Sequence, residues 1–228
     1  MADDGGAAGQ RLTVQLPAGP TGVSVDFTRP DGHWATVVLA HGAGAGYRHP
    51  FLLGFSRGLA ELGIASVRFN FPYLEAGRRM PGPAPHAIAT WSAVMALASD
   101  ISGGAPVWAV GKSYGGRMAS MAAAEGSIDP AGLIYLGYPL HPPGDPAKAR
   151  VAHLPDVRQP QLFVEGTNDP FIDPREQLED AVASCRDASI AWIEGGGHSF
   201  EVKGSKRPAD VIAASLAPLV ADWMRARS

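Results

Sequence analysis

The chain has 228 residues, of which 46% are hydrophobic and 18% are charged, a composition typical of a globular protein with a buried core. Its formal net charge is -3, and no basic run is longer than two residues. We therefore expect neither nucleic acid nor a membrane surface as a partner.

The first residues, MADDGGAAGQ, are acidic and rich in Gly and Ala, and they lack the basic and apolar regions of a secretory signal. We interpret residues 1–10 as a flexible tail and residues 11–228 as a single domain, and we expect a cytoplasmic protein. No apolar run is long enough to cross a bilayer. The single cysteine, Cys185, lies in a helix-prone segment, so no disulfide can form within the chain and a helix residue is the simpler interpretation.

The predicted elements begin with two strands, residues 11–16 and 22–28, which the turn signal PAGP joins as an antiparallel edge. Near-continuous apolar runs then alternate with segments that have apolar residues at helical spacing. The apolar runs cover residues 34–40, 64–70, 106–110, 131–137, 160–165 and 188–193, and the helical segments cover residues 50–62, 86–102, 114–125, 174–186 and 208–226. This alternation predicts an α/β fold: three layers around a doubly wound, mostly parallel sheet of eight strands.

Ligands of such sheets bind beyond the carboxyl ends of the strands, so the residues after each apolar run are candidate site residues. Gly-Lys-Ser-Tyr-Gly-Gly, at residues 111–116, follows one apolar run and precedes a helical segment. A Gly-x-Ser-x-Gly pattern at a strand-to-helix turn holds the serine on a strained backbone with its hydroxyl exposed. Ser113 is therefore the candidate nucleophile, although a chain with 28 glycines can acquire this spacing by accident.

A serine hydroxyl needs an imidazole to accept its proton, and the imidazole needs a carboxylate to fix its tautomer. Asp169 follows the apolar run at 160–165, and His198 follows the run at 188–193 in a glycine-flanked loop. The carboxyl ends of parallel strands meet at one edge of a sheet. We therefore predict a catalytic triad of Ser113, His198 and Asp169.

Other residues of the same types leave alternatives open. Glu165, at the end of a strand, is an alternative acid, whereas Asp173, just before a proline and a helix, is more consistent with an N-cap. His41 precedes a Gly-rich loop, and we interpret it as a structural imidazole bonded to nearby backbone. Three histidines in turns or helix starts have no carboxylate at a suitable place: His33, His86 and His153.

The substrate oxygen that becomes negative in a tetrahedral intermediate needs hydrogen-bond donors. The segment His-Gly-Ala-Gly-Ala-Gly, at residues 41–46, directly follows a predicted strand, and its small side chains leave backbone N–H groups accessible. We predict the N–H groups of Ala43 and Tyr114 as the oxyanion hole, with Gly42 and Gly44 as further substrate contacts. A phosphate-binding loop is disfavoured, because the segment lacks a Gly-Lys-Ser/Thr ending and does not match Gly-x-Gly-x-x-Gly.

Three cations lie near these motifs. Lys112 precedes the candidate nucleophile, and we interpret it as one half of a buried ion pair with Glu165 or Glu194. Arg78 and Arg79 follow the fourth predicted strand and are candidates for binding an acidic group of the substrate, although exposed arginines are more often merely solvated. Nothing in the sequence indicates a metal or an organic cofactor.

The segments HGAGAG, GKSYGGR, GTNDPF and GGGHSF, in the chain order Ser, Asp, His, resemble the α/β-hydrolase superfamily from about Thr13 onward. Within it, the chain is similar to the compact dienelactone hydrolase-like group and to bacterial hydrolases with Gly-Lys-Ser-x-Gly-Gly-Arg. True dienelactone hydrolases carry cysteine where this chain has Ser113. The resemblance implies hydrolysis of carboxylic esters, thioesters or lactones through an acyl-enzyme intermediate, without a cofactor.

Large caps in this superfamily are usually inserted after the sixth strand. Here only residues 138–159 separate that strand from the next, a length that rarely makes an independent lid. The resemblance thus implies an open site without a large cap and a small or accessible acyl substrate. An acyltransferase with the same triad and a non-catalytic binding or scaffold protein of the same fold are the alternatives. We expect a monomer or a small homo-oligomer.

Overall fold

The computed structural model describes residues 10–228, and the predicted tail lies outside the described residues except for Gln10, which begins the first strand. The strands are β1 (Gln10–Leu16), β2 (Gly19–Thr28), β3 (Ala35–Ala40), β4 (Ile64–Phe69), β5 (Val107–Lys112), β6 (Leu133–Leu136), β7 (Gln161–Gly166) and β8 (Ala188–Ile193). The helices are α1 (Pro50–Glu61), α2 (Pro72–Glu75), α3 (Ala84–Ile101), α4 (Tyr114–Ala124), α5 (Arg175–Ala183) and α6 (Ala209–Arg225).

The eight strands form one sheet in the order β1-β2-β4-β3-β5-β6-β7-β8. β1 pairs with β2 and β2 pairs with β4 in antiparallel fashion, whereas every pair from β4 to β8 is parallel. The predicted mostly parallel, doubly wound sheet and its antiparallel edge are therefore confirmed. β3 and β5 are neighbours, but the strand that follows β3 in the chain lies on one side of this pair and the strand that follows β5 lies on the other side. The loops after these two strands consequently flank one crevice, the position where such folds bind ligands.

Both faces of the sheet are covered, which explains the near-continuous apolar strands of the sequence. All six residues of β3 are buried. Because successive side chains of a strand point to opposite faces, its residues divide between two cores. Val38 belongs to the core that also contains Trp91 of α3 and Met118 of α4, and Leu39 belongs to the core that contains Phe55 of α1 and residues of α6. β8 differs, since it is the last strand of the sheet and each of its residues is only partly buried.

Two local details differ from the sequence prediction. The four-residue helix α2 was not predicted, because so short a segment shows no helical period. α5 ends at Ala183, so Cys185 lies just beyond the helix instead of inside it, with its thiol donating to the carbonyl of Ala181.

The segment between β6 and β7 is short, as predicted. Residues 138–159 contain two single-turn 3₁₀ helices, Pro146–Lys148 and Leu154–Asp156, and this segment forms no separate lid domain. Within residues 10–228, no helix combines the length and the apolar character that crossing a membrane requires.

Candidate active site

Ser113 lies at the sharp turn between β5 and α4. Its φ of 49° and ψ of -116° are unusual for a residue with a side chain, as expected where a backbone is held under strain at a functional turn. The neighbouring positions require glycine, because there is no room for a side chain. A Cβ added to Gly111 would lie 2.1 Å from the amide nitrogen of Gly116, and one added to Gly115 would lie 2.7 Å from the carbonyl oxygen of His41. The glycines thus let the strand, the helix and the neighbouring loop approach closely around the serine.

The structure brings the three predicted triad residues together from the loops after β5, β7 and β8. Nε2 of His198 lies 2.9 Å from Oγ of Ser113, and Nδ1 of His198 lies 2.6 Å from Oδ2 of Asp169. The other carboxylate oxygen of Asp169 accepts a 2.8 Å hydrogen bond from the amide of Phe171. A neutral imidazole that donates from Nδ1 to the carboxylate has Nε2 available to accept the serine proton. This arrangement can activate a hydroxyl nucleophile.

Burial keeps the imidazole in the form that accepts a proton. The side chain of Asp169 is fully buried and that of His198 is 21% exposed. Desolvation lowers the pKa of His198 below its ordinary value of 6.5, although the hydrogen bond to Asp169 opposes this effect. The ring of Phe171 stacks on the imidazole with 4.1 Å between ring centroids. His198 is therefore neutral at pH 7 and held in a fixed orientation.

The Gly-rich loop after β3 lies against the nucleophile turn. A Cβ added to Gly42 would come within 3.7 Å of Cβ of Ser113. The backbone N–H groups of Ala43 and Tyr114 form no hydrogen bond with any group of residues 10–228. Tyr114 is also the first residue of α4, where N–H groups lack partners within the helix. Both predicted donors are therefore available to an oxygen atom of a ligand.

Two buried side chains hold this loop in place. His41 donates from Nδ1 to the carbonyl of Gly42 at 2.6 Å and accepts at Nε2 from the amide of Phe71 at 3.3 Å. Burial lowers the pKa of His41 to about 4, so the ring stays neutral in this role. The interpretation of His41 as a structural imidazole is thus confirmed. The N–H of Gly44 donates to Oη of Tyr73 at 3.0 Å, so this amide is engaged by the protein itself.

Sequence reasoning did not find Tyr73 or Phe171. Phe171 had a usable signal, because it follows the candidate acid Asp169 by two residues, a spacing that allows its amide to bond the carboxylate. Tyr73 had none, since its contact with Gly44 joins two loops that no motif relates.

The predicted ion pair of Lys112 is wrong. No carboxylate within residues 10–228 forms an ion pair with its ammonium, which instead donates to the main-chain carbonyl of His198 at 2.8 Å. Glu165 is fully buried, and burial raises its carboxyl pKa well above the ordinary value, which favours the neutral form of this side chain. It accepts a hydrogen bond from the amide of Tyr138. Glu194 is exposed to solvent.

The other candidate acids and bases have different surroundings. Asp173 is exposed and does not cap α5, because Pro174 occupies the N-cap position and no side chain caps this helix. The N-cap interpretation of Asp173 is therefore wrong. His153 is partly buried and bonds through Nε2 to Oγ of Ser120 at 2.7 Å. No group of His, Cys, Asp and Glu side chains within residues 10–228 is arranged to hold a metal ion.

The two arginines proposed as substrate contacts lie in the loop after α2, and both are exposed. The carbonyl oxygen of Arg79 lies 3.3 Å from the position that a Cβ on Gly44 would occupy. The backbone of the Arg78-Arg79 segment therefore contacts the Gly-rich loop at the candidate site.

Comparison with known proteins relates this arrangement to a family. A family model described as an alpha/beta hydrolase domain matches residues 33–225. An alpha-beta serine hydrolase homologue from Coxiella burnetii has a similar structure, with a TM-score of 0.71 and 20% identity over 96% of this chain and 98% of that chain. The dienelactone hydrolase from Anabaena variabilis ATCC 29413 also has a TM-score of 0.71, with 21% identity over 96% of this chain and 99% of its own.

A member of the a/b serine hydrolases without lid, from Xanthomonas campestris, has a TM-score of 0.70 and 23% identity over 95% of both chains. At such identities these structural likenesses show a common fold, and the arrangement of side chains in this chain carries the argument about its chemistry.

Proposed function

The chain belongs to the alpha/beta hydrolase domain family, and we propose that it is a serine hydrolase of carboxylic esters, thioesters or lactones that acts through an acyl-enzyme intermediate. The observation that carries this proposal is the hydrogen-bonded chain from the hydroxyl of Ser113 through His198 to the buried Asp169. A buried carboxylate that bonds Nδ1 favours the tautomer a general base requires.

In the proposed mechanism, Oγ of Ser113 attacks the substrate carbonyl carbon while Nε2 of His198 takes the hydroxyl proton. The carbonyl π pair moves onto oxygen, and the N–H groups of Ala43 and Tyr114 stabilise the negative charge. His198 then gives the proton to the departing alcohol or thiol, which leaves an acyl ester on Ser113. His198 next takes a proton from water as the water oxygen attacks this ester. It then returns that proton to Oγ of Ser113 as the bond between Oγ and the acyl carbon breaks and the acid is released. These steps need no metal or organic cofactor.

We assign the substrate contacts to the loops that border Ser113. Gly42 and Gly44 present no side chain to an approaching acyl group. Arg78 and Arg79 are exposed beside this loop and can meet an acidic group of the substrate. The lack of a lid in the segment 138–159 supports a small or accessible acyl substrate. A panel of p-nitrophenyl esters, lactones and thioesters, with and without a free carboxylate, measures this preference.

Covalent labelling with a fluorophosphonate probe tests the proposal. We expect one adduct by intact-mass measurement, located by peptide mapping at Ser113 and absent from Ser113→Ala. Ser120→Ala is the matched control, because Ser120 also contacts a histidine but is fully buried, and this variant should keep the label. A folded protein that remains unlabelled would contradict the proposal and support a non-catalytic protein. Release of free acid, as opposed to transfer to an added alcohol, distinguishes a hydrolase from an acyltransferase.

The pH dependence of kcat/KM gives a second test. Protonated His198 cannot accept the serine proton, so activity falls as the pH drops through the pKa of this residue. Because burial lowers that pKa, we expect the midpoint of the acid limb to lie below 6.5. Initial rates on a short ester, measured by titration of released acid between about pH 4 and pH 8, determine the midpoint. A midpoint at or above 6.5 would contradict the assigned environment of the base.

A further inference from the structure

Lys112 is buried beside the nucleophile, which is unusual for a lysine. It ends β5 and directly precedes Ser113, yet only 7% of its surface is exposed. Its ammonium lies beside a stacked pair of aromatic rings, 5.9 Å from the ring centroid of Phe51 and 5.8 Å from that of Phe200. A buried ammonium is costly unless a polar partner compensates for its lost hydration. The partner of this side chain is therefore informative.

That partner is the main chain of the predicted base. Nζ of Lys112 donates a 2.8 Å hydrogen bond to the carbonyl oxygen of His198. Gly137 leaves room for this contact, because a Cβ there would lie 2.8 Å from the same carbonyl oxygen and 3.1 Å from Nζ. The lysine thus connects the strand that carries the nucleophile directly to the loop that carries the base.

We propose that Lys112 is a positioning residue, whose ammonium holds the His198 carbonyl and thereby keeps Nε2 of His198 in line with Oγ of Ser113. This inference rests on the proposed function. His198 follows three consecutive glycines, Gly195, Gly196 and Gly197, whose backbone is intrinsically permissive, so the contact with Lys112 adds a restraint at the residue that carries the imidazole. Asp169 and Phe171 restrain the ring itself, whereas Lys112 restrains the backbone to which the ring is attached.

The ammonium also acts on the base through its charge. Together with burial it lowers the pKa of His198, while the hydrogen bond to Asp169 raises it. Burial lowers the pKa of Lys112 to about 8, so the ammonium is mostly charged at neutral pH. The other ionisable groups that face these two residues come from the neighbouring loops and strands. Asp169, Glu165 and Glu201 act to raise the pKa of Lys112, whereas Lys112 itself acts to lower the pKa of His49.

The first experiment compares Lys112→Met with Lys112→Arg and with Lys203→Met, a control at an exposed lysine. For Lys112→Met we expect kcat to fall about 10- to 100-fold with little change in KM, since a hydrogen bond from a charged donor is lost. The acid limb of kcat/KM should move to higher pH, because a positive charge near His198 is removed. Lys112→Arg, which keeps a charged donor, should recover part of kcat, and the control should match the wild type.

A folded Lys112→Met with kcat and acid limb within about twofold of the wild type would overturn the proposal, since positioning and charge would then contribute nothing measurable. If this variant does not fold, a measurement on the wild-type protein tests the proposal instead. With the histidine carbonyls labelled with carbon-13, the His198 resonance should shift as Lys112 loses its proton near pH 8, and a resonance that does not change there would overturn the proposal. This signal requires no turnover, so it separates a failed positioning role from a failed assignment as a hydrolase.

Discussion

Replacing Ser113 with alanine is expected to lower kcat on a short activated ester by roughly 10⁴- to 10⁶-fold, which is the range of losses observed when one residue of a catalytic triad is removed. No other described group takes the position of Oγ, which lies 2.9 Å from Nε2 of His198. We attribute the expected residual rate to the proposed N–H donors of Ala43 and Tyr114 and to substrate binding, which the substitution leaves in place. Steady-state kinetics on a p-nitrophenyl ester provide the measurement.

The fold should survive this substitution. Ser113 precedes α4, but its hydroxyl makes no capping hydrogen bond to that helix, so alanine removes no helix cap. Serine and alanine both have a Cβ, so the backbone strain at position 113 is the same in the wild type and in the variant. We expect a Tm close to that of the wild type. Near wild-type turnover by the folded variant would exclude Ser113 as the nucleophile.

Replacing Asp169 with asparagine is expected to lower kcat by about 10⁴-fold, because the amide reverses the tautomer of the base. The carboxylate accepts a 2.6 Å hydrogen bond from Nδ1–H of His198. An amide NH₂ group at the same place would donate to Nδ1 instead, and the imidazole proton would move to Nε2, where it opposes the Ser113 hydroxyl. KM should change little, since Asp169 is buried behind the imidazole and does not face the substrate.

Asp173→Asn is the matched control, because Asp173 lies in the same loop but is exposed to solvent. We expect its kcat to equal that of the wild type. A large loss of kcat in Asp173→Asn, together with a small loss in Asp169→Asn, would show that Asp169 is not the acid of the triad. Comparing kcat for the two variants on one ester therefore shows which of the two aspartates in this loop orients His198.

The fold was predictable because its signal is repeated along the chain. Apolar runs that alternate with helical periods specify a parallel sheet covered on both faces, and the two strands before residue 30 differ enough to indicate an antiparallel edge. The positions of Ser113, Asp169 and His198 followed from this prediction. Each residue directly follows a strand, and the carboxyl ends of parallel strands lie at one edge of the sheet.

The features that could not be predicted depend on contacts that do not require a particular type of residue. The partner of Lys112 is a backbone carbonyl that any residue at position 198 would present, so a search for acidic side chains could not find it. The same holds for Tyr73, whose hydroxyl accepts from a backbone N–H in another loop. The burial that raises the pKa of Glu165 also depends on its surroundings in three dimensions, which its position in the sequence does not reveal.

The predicted base follows β8, which is an edge strand of the sheet. β8 has a neighbour on one side only, and each of its residues is partly exposed, whereas β3 and β7 are buried throughout. Local opening costs least free energy where few buried contacts must be broken. Denaturant should therefore detach the loop of His198 before it disrupts the central strands, and inactivation should precede global unfolding. Of the three predicted triad residues, His198 should thus be the first to leave its place in the site when the protein is destabilised.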